Sequence, residues 1–475
     1  MKKNDVKLMF VAFLEWFTTL AFQMVALRKA VPFVWSSVVL TSIVIWIILL
    51  ALSAWYFMGW KLTSTMSEPS LLKRLSVYLL ISALYYLLIV YPSFDAVLQW
   101  LLHNIWYIPT LFSFALLFFA IPTYLASHTM PIITHVSQWT KWYAAWKILF
   151  ISTIWSFLGS TITTLVLFPQ MWVYRTWILA SVILIVCAIL VWIKKPLMKW
   201  FVVTIVLIAA SAHTFRPIVT WYYEETPYQT VRIIEWNLKW RNVRVMELNW
   251  WWASSIDIET KKSFFPYVRK IVDGIQEKKP KSIAVIWAAW CTLPQEVAGL
   301  DFVDYIDVID IDARVFPITV ESFLKEPLHP KITPIVQSAR GWIYDMIQVW
   351  KKYDMIIIDA YNGTSLPDEL VTKEFFAWLK ELSPNLMINM ISDKKLVTPF
   401  SQYFLATVQH VFETVFYTDA SSTPDTYPLG NIVLSTFELW NMKTTPSYTN
   451  KMYTDDKNNV DELRVGVIYG KDAIR

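Results

Sequence analysis

Long apolar runs fill residues 1–214 and stop there. They fall at 8–28, 33–59, 75–92, 100–126, 144–169, 174–193 and 200–214. Most reach the roughly 20 apolar residues that cross a hydrocarbon core. In lipid a helix satisfies every backbone polar group internally, so this part reads as an all-α, multi-span transmembrane domain. The 200–214 run is short and closed by His213 and Arg216. No cleavage pattern follows the first run, which reads as a retained helix. With 56% hydrophobic and 17% charged residues, a disordered chain is excluded and the balance weighs against a wholly soluble one.

Charge placement gives a direction. With the N-terminus inside, the inner loops hold Lys2, Lys3, Lys7, Lys61, Lys73, Arg74, Lys141, Lys147, Lys194, Lys195 and Lys199. The outer loops hold only Arg28, Lys29 and Arg175. This excess sets the N-terminus in the cytoplasm. Seven crossings would leave the C-terminal part outside, away from nucleotide cosubstrates, so an even number is expected, with 200–214 the weakest. Glu15 lies within the first run, where an acid is costly unless partnered; it reads either as a functional group or as a residue near the inner interface.

From about 215 the solvent changes. Charges become frequent and apolar runs shorten to a few residues. Residues 230–235 and 242–248 alternate like a two-stranded hairpin. A helix-like stretch at 260–277 follows, then β runs at 282–286, 305–311, 331–336 and 355–358 separated by helical patterns, notably 366–382. Alternation of strand and helix predicts a parallel α/β sheet of Rossmann type, with its ligand at the carboxyl ends of the strands. The expected domains are 1–214 transmembrane, 215–275 linker and hairpin, 276–440 Rossmann-like, and 441–475 a polar, peripheral tail.

One count is abnormal. A chain of this length ordinarily carries about 33 glycines and about 6 tryptophans; this one carries 9 and 27. The strand 282–286 runs into Trp287-Ala288-Ala289-Trp290, a loop where a nucleotide fold needs backbone without side chains. Trp250-Trp251-Trp252 follows a strand at a natural glycine turn, and Trp236 and Trp240 bracket the hairpin turn. Trp35 and Trp60 sit at similar places in the apolar part. One cause explains the excess, the deficit and the placement: a UGA codon read as glycine in the living cell and written here as tryptophan. Aromatic belts of a membrane protein would explain tryptophan at a lipid interface, but not in this loop.

With those positions read as glycine, the chain resembles the spermidine synthase family, and within it the bacterial group that fuses a multi-span membrane domain to a synthase-like domain. In the apolar part the likeness lies at 13–28, 33–38, 51–62 and 143–161. In the rest it lies across about 222–437. Thr226-Pro227-Tyr228-Gln229 resembles the family's Tyr-Gln element, and Leu248-Asn249-Trp250 its Leu-Asp-Gly turn. Trp287 to Trp290 is similar to the glycine loop, and Asp307-Val308-Ile309-Asp310-Ile311-Asp312 to a Val-Glu-Ile-Asp strand end. Tyr353 to Asp359 resembles the strand that delivers the catalytic aspartate, and 370–375 the helix after it. Thr426-Tyr427-Pro428-Leu429-Gly430 is similar to a Pro-Thr-Tyr-Pro-Ser-Gly segment. The order and spacing of the set carry the resemblance.

The resemblance implies an aminopropyltransferase that uses decarboxylated S-adenosylmethionine, without a metal, on a small amine such as putrescine. It implies Asp359 as the catalytic residue. Gln229, Trp287, Ala288, Ala289, Trp290, Asp310, Ile311, Ser338 and Ala339 would hold the cosubstrate, and Tyr267, Asn362 and Tyr427 the amine. The residues support this in part by themselves. An acid closing a strand, as Asp310 does, can accept both ribose hydroxyls, or be a solvated strand-end carboxylate. Asp359, ending a buried run, can take a proton from an attacking amine, or cap the next turn. The chain departs from the family at three acids: Trp290 stands for one, Ser338-Ala339 for an Asp-Ala pair, and Asn362 for another. Another amine, or S-adenosylmethionine itself in a methyltransferase on the same fold, stays open, as does a transporter or membrane binding protein with a non-catalytic nucleotide domain. The six histidines show no ligand spacing, and Cys187 and Cys291 make no zinc site. The expected setting is the inner membrane with the C-terminal domain on the cytoplasmic side, no nucleic-acid partner, and a homodimer as one option.

Overall fold

A computed structural model describes residues 3–34, 38–137, 140–192, 222–226, 228–238, 241–249, 251–287, 291–361, 366–421, 429–448 and 451–456, with 460 and 463. The chain forms two compact units, Met1–Pro217 and Ile218–Arg475.

The first unit is helical: α1 Lys3–Val34, α2 Val38–Thr65, α3 Glu68–Leu84, α4 Tyr91–Asn104, α5 Tyr107–Ala115, α6 Ile121–Ala126, α7 Thr129–Val136, α8 Lys141–Ile162 and α9 Phe168–Val191. Among the described residues, five stretches are long and apolar enough to cross a membrane: Val6–Ala30, Leu40–Thr65, Glu68–Val90, Ile108–Val136 and Lys141–Leu167. Arg175–Val191 is a shorter apolar helix, and the 200–214 run lies outside the described residues. Phe13 lies against Trp155, and a Cβ on Gly159 would come within 2.6 Å of the Phe17 carbonyl, so α1 and α8 run parallel at a contact only glycine permits. Cys187 meets the Val11 carbonyl and Trp177 meets Phe22, so α9 runs antiparallel to α1.

Three of these rods pass through a π-helical turn, at Tyr85–Val90, Leu116–Ala120 and Thr163–Leu167. Each turn is followed, two residues on, by Pro92, Pro122 or Pro169. A proline donates no hydrogen bond and crowds the carbonyl four residues back; the widened turn accommodates both effects and lets the helix continue.

The second unit holds two sheets. The first is an antiparallel meander of β1 Tyr222–Glu225, β2 Thr230–Leu238, β3 Arg241–Leu248 and β4 Trp251–Asp257. The expected two-stranded hairpin is therefore half of a four-stranded sheet. Its outer strands were hidden, β1 by its Tyr-Tyr-Glu-Glu composition and β4 by its tryptophans. Trp251 and Trp252 lie in β4, paired with Leu248 and Glu247, rather than in a turn. Trp236 lies inside β2 opposite Val243, not at its end. Trp240 and Trp250 are outside the described residues.

The second sheet contains β5 Ser282–Ile286, β6 Tyr305–Asp310, β7 Ile332–Val336, β8 Met355–Ile358, β9 Leu386–Asp393, β10 Phe416–Asp419, β11 Leu429–Ser435 and β12 Lys443–Thr444. Its order is β12-β10-β11-β9-β8-β5-β6-β7, parallel from β9 to β7 and antiparallel beyond. Apolar layers cover both faces. Ile283 and Val285 point into one, with the helix Pro266–Lys278; Ala284 and Ile286 point into the other, with Ala339–Gln348, Lys373–Leu382 and Pro399–Phe412. This is the expected Rossmann-like α/β architecture. The stretch read as a peripheral tail enters that second layer: Tyr453, Val460 and Leu463 are buried in it.

Candidate active site

The chain leaves β5 and turns one way to β6 and β7, then returns to place β8 on the other side of β5. A crevice opens at such a reversal, at the carboxyl ends of the strands. Trp287 follows β5, Asp310 ends β6 and Asp359 follows β8, so all three chain ends meet there.

Two cavities occupy the crevice. One, of about 220 Å³, is walled by Trp287, Asp310, Ile311, Ser338, Ala339 and Arg340. The other, of about 70 Å³, is walled by Trp252, Tyr267, Trp287, Asp359, Asn389 and Asn431. Trp287 belongs to both walls and stands between them. Each cavity is smaller than the roughly 300 Å³ at which small-molecule sites begin. The backbone of Trp287 has φ 68°, and its N–H donates to the Ile309 carbonyl at 2.7 Å. That left-handed conformation is an outlier for a bulky side chain and ordinary for glycine.

Asp359 is the chemical centre of the smaller cavity. It is 6% exposed. The Tyr267 hydroxyl donates to its Oδ2 at 2.8 Å, and Asn389 Nδ2 donates to its Oδ1 at 2.7 Å. Burial pushes its carboxyl up to about 6, against the pull of those two hydrogen bonds. Asn431 Nδ2 donates to Asn389 Oδ1 at 3.0 Å, which orients the amide so that its N–H₂ faces the carboxylate. The Tyr361 hydroxyl, donating to the Asn389 carbonyl, holds the strand from the other side.

In the larger cavity Asp310 is buried at the end of β6, and its Oδ1 accepts the backbone N–H of Asp312 at 2.8 Å. Ser338 caps the helix Ala339–Gln348, its hydroxyl accepting from the Gly341 N–H at 3.3 Å. Arg340 on the rim donates to Asp455 and to the Glu369 carbonyl. Gln229 is buried beside Thr226, whose hydroxyl donates to Asp312, and its Nε2 has no acceptor. A buried amide donor left so costs about 1–3 kcal/mol. Cys291 is buried, its thiol pushed up by desolvation, which makes it inert rather than reactive.

The structure thus gathers Trp287, Asp310, Ile311, Ser338 and Ala339 around one cavity, and Tyr267 and Asp359 around the other. Gln229 lines neither. Ala288, Ala289, Trp290, Asn362 and Tyr427 lie outside the described residues. Asn389, Asn431 and Arg340 went unnoticed in the sequence. Asn389 had a signal: it is the lone amide in the apolar strand Leu-Met-Ile-Asn-Met-Ile.

No family model matches the chain. A curated relative, a polyamine aminopropyltransferase of Vibrio vulnificus (strain CMCP6), is 33% identical over 144 residues, 30% of this chain. The matched region spans about half of that relative's length, 48%. Among solved structures, a probable spermidine synthase from Corynebacterium glutamicum ATCC 13032 is similar at 22% identity and TM-score 0.38, over 46% of this chain and 80% of its own. A spermidine synthase from Thermotoga maritima is similar at 17% identity and TM-score 0.35, over 46% of this chain and 73% of its own. A spermidine synthase in complex with the transition state analogue AdoDATO is similar at 16% identity and TM-score 0.37, over 46% and 74%.

Proposed function

We propose that this chain is a membrane-embedded aminopropyltransferase of the spermidine synthase kind. It transfers the aminopropyl group of decarboxylated S-adenosylmethionine to a small amine, putrescine being the simplest, on the cytoplasmic face of the inner membrane. The reading is carried by one observation: among the described residues, Trp287 alone lines both the cavity that holds Asp310 and the cavity that holds Asp359. With glycine at 287 the two become one cleft. The ribose then lies at Asp310, the sulfonium at the tip of β5, and the amine at Asp359. The orphaned Nε2 of Gln229 supplies a further donor on that side.

In this reading Asp359 accepts a proton from the incoming ammonium. The freed nitrogen lone pair forms a bond to the propyl carbon, the carbon–sulfur bond breaks, and its electrons remain on sulfur as neutral methylthioadenosine. Tyr267 and Asn389 hold the carboxylate for that proton. Alignment supplies most of the acceleration, because the two reactants are held in line. The relative's name and the site support the same chemistry.

The same proposal assigns glycine to Trp287 and to Trp350. Trp350 also has positive φ, 57°, is 83% exposed, and follows the end of the helix Ala339–Gln348 where glycine commonly stands. Trp342 and Trp177 remain tryptophan: both are fully buried, and the Trp177 indole donates to the Tyr86 carbonyl at 3.1 Å. Peptide mass spectrometry of the protein from its own cell, with titration of methylthioadenosine, tests the reading. The expected result is glycine at 287 and binding of the nucleoside. Tryptophan at 287 with no binding overturns it.

A further inference from the structure

The helical unit carries an acid that nothing above uses. Glu15 sits about 18 Å along α1 from its start, at 1.5 Å per residue, and is 1% exposed. Val11, Glu15, Thr18 and Phe22 follow the four-three-four spacing that keeps residues on one face of a helix. That face looks onto α9 and the π-helical turn that follows α3. The Val11 carbonyl meets Cys187, and the Phe22 ring stacks at 3.8 Å on Tyr86 and lies at 5.7 Å from Trp177. The acid is therefore enclosed within the helical unit.

Its bonds are incomplete. The Thr19 hydroxyl donates to Oε1 at 3.0 Å, and the Thr18 hydroxyl donates to the Glu15 carbonyl at 2.8 Å. Oε2 is buried with no partner. A proton alone does not complete its bonds: on Oε1, shared with Thr19, it leaves Oε2 a buried acceptor without a donor, and on Oε2 it is a buried donor without an acceptor. A hard metal ion needs about six oxygens, and one carboxylate with two threonine hydroxyls falls short. An ammonium group answers both features, the orphaned oxygen and the neighbouring hydroxyls. It donates to Oε2, and the lone pairs of Thr18 and Thr19 accept its other N–H groups.

We infer that Glu15 anchors a binding site for an organic ammonium ion inside the helical unit, with Thr18 and Thr19 as its polar walls. The site is independent of what the second unit catalyses.

The test uses the full chain in phospholipid nanodiscs. Dicyclohexylcarbodiimide modifies enclosed carboxyls, and peptide mass spectrometry reads the adduct on Glu15. Butylammonium chloride is the probe, with sodium chloride at equal ionic strength as control. Butylammonium should slow modification of Glu15 by about tenfold, a change of about 1.4 kcal/mol, while sodium does not. Thr19→Val should lose most of this protection, and Asp359→Asn should keep it, which separates this site from the one at β8. Glu15→Asp should retain butylammonium binding that Glu15→Gln loses. Equal modification with and without butylammonium, equal protection by sodium, or a Glu15 that never reacts would each overturn the inference.

Discussion

Asp359 is a carboxylate kept from water, and the two hydrogen bonds left to it determine its strength. Because burial raises it to about 6, it is charged at neutral pH yet basic enough to take a proton. In the proposed reaction the charged form is the active one, so kcat/KM should fall as pH drops through about 6. Tyr267→Phe removes a donor that favours the charge, and the acid limb of the pH profile should move upward; an unmoved limb would assign that limb to another group. Asp359→Asn should lower kcat by about 10² to 10⁴ while methylthioadenosine, titrated calorimetrically, still binds. Asp359 and Tyr267 could each be read from the sequence, but their 2.8 Å contact spans 92 positions of chain. Asn389 and Asn431 reach the site from neighbouring strands whose pairing no local pattern announces.

At the scale of the element, tryptophan divides into two physical classes. At 287 and 350 the backbone demands positive φ, and the side chain is a burden. At 177 and 342 the indole fills a buried space. Trp350→Gly in the chain as written should therefore stabilise it by about 1 kcal/mol, raising the urea midpoint with unchanged slope. Trp342→Gly should cost about 3 kcal/mol or more through the cavity it leaves. Effects of equal sign at the two positions would contradict this division. Composition exposed the anomaly, but only backbone angles sort its members, and they move Trp251 and Trp252 from a supposed turn into a strand. The π-helical turns show the opposite case: the prolines two residues beyond them stand in plain view in the sequence.

The whole molecule consists of two compact units, one of apolar helices and one α/β. The proposal of a membrane-embedded chain requires it to stay with the membrane fraction through alkaline carbonate and to leave it only in detergent; release by carbonate would refute it. In the second unit the chain beyond 440 adds a strand, β12, on the edge of the sheet, and buries Tyr453 against the helix Pro399–Phe412, with Tyr403 6.1 Å away. Tyr453→Ala should cost about 3 kcal/mol, as for other large buried rings, whereas Asp455→Ala, which breaks a partly exposed ion pair with Arg340, should cost less than about 1 kcal/mol. Thermal unfolding of the two variants checks the contrast.

The sequence by itself determined the two-part division, the helical and Rossmann-like classes, and the acids at the strand ends. Those follow from hydrophobic period and run length, which are local properties of a chain in a given solvent. The tertiary structure decided the four-stranded meander, the buried tail, the amides behind Asp359, and the place of Trp287 on the walls of both cavities. Each of these depends on groups far apart in the chain meeting in space.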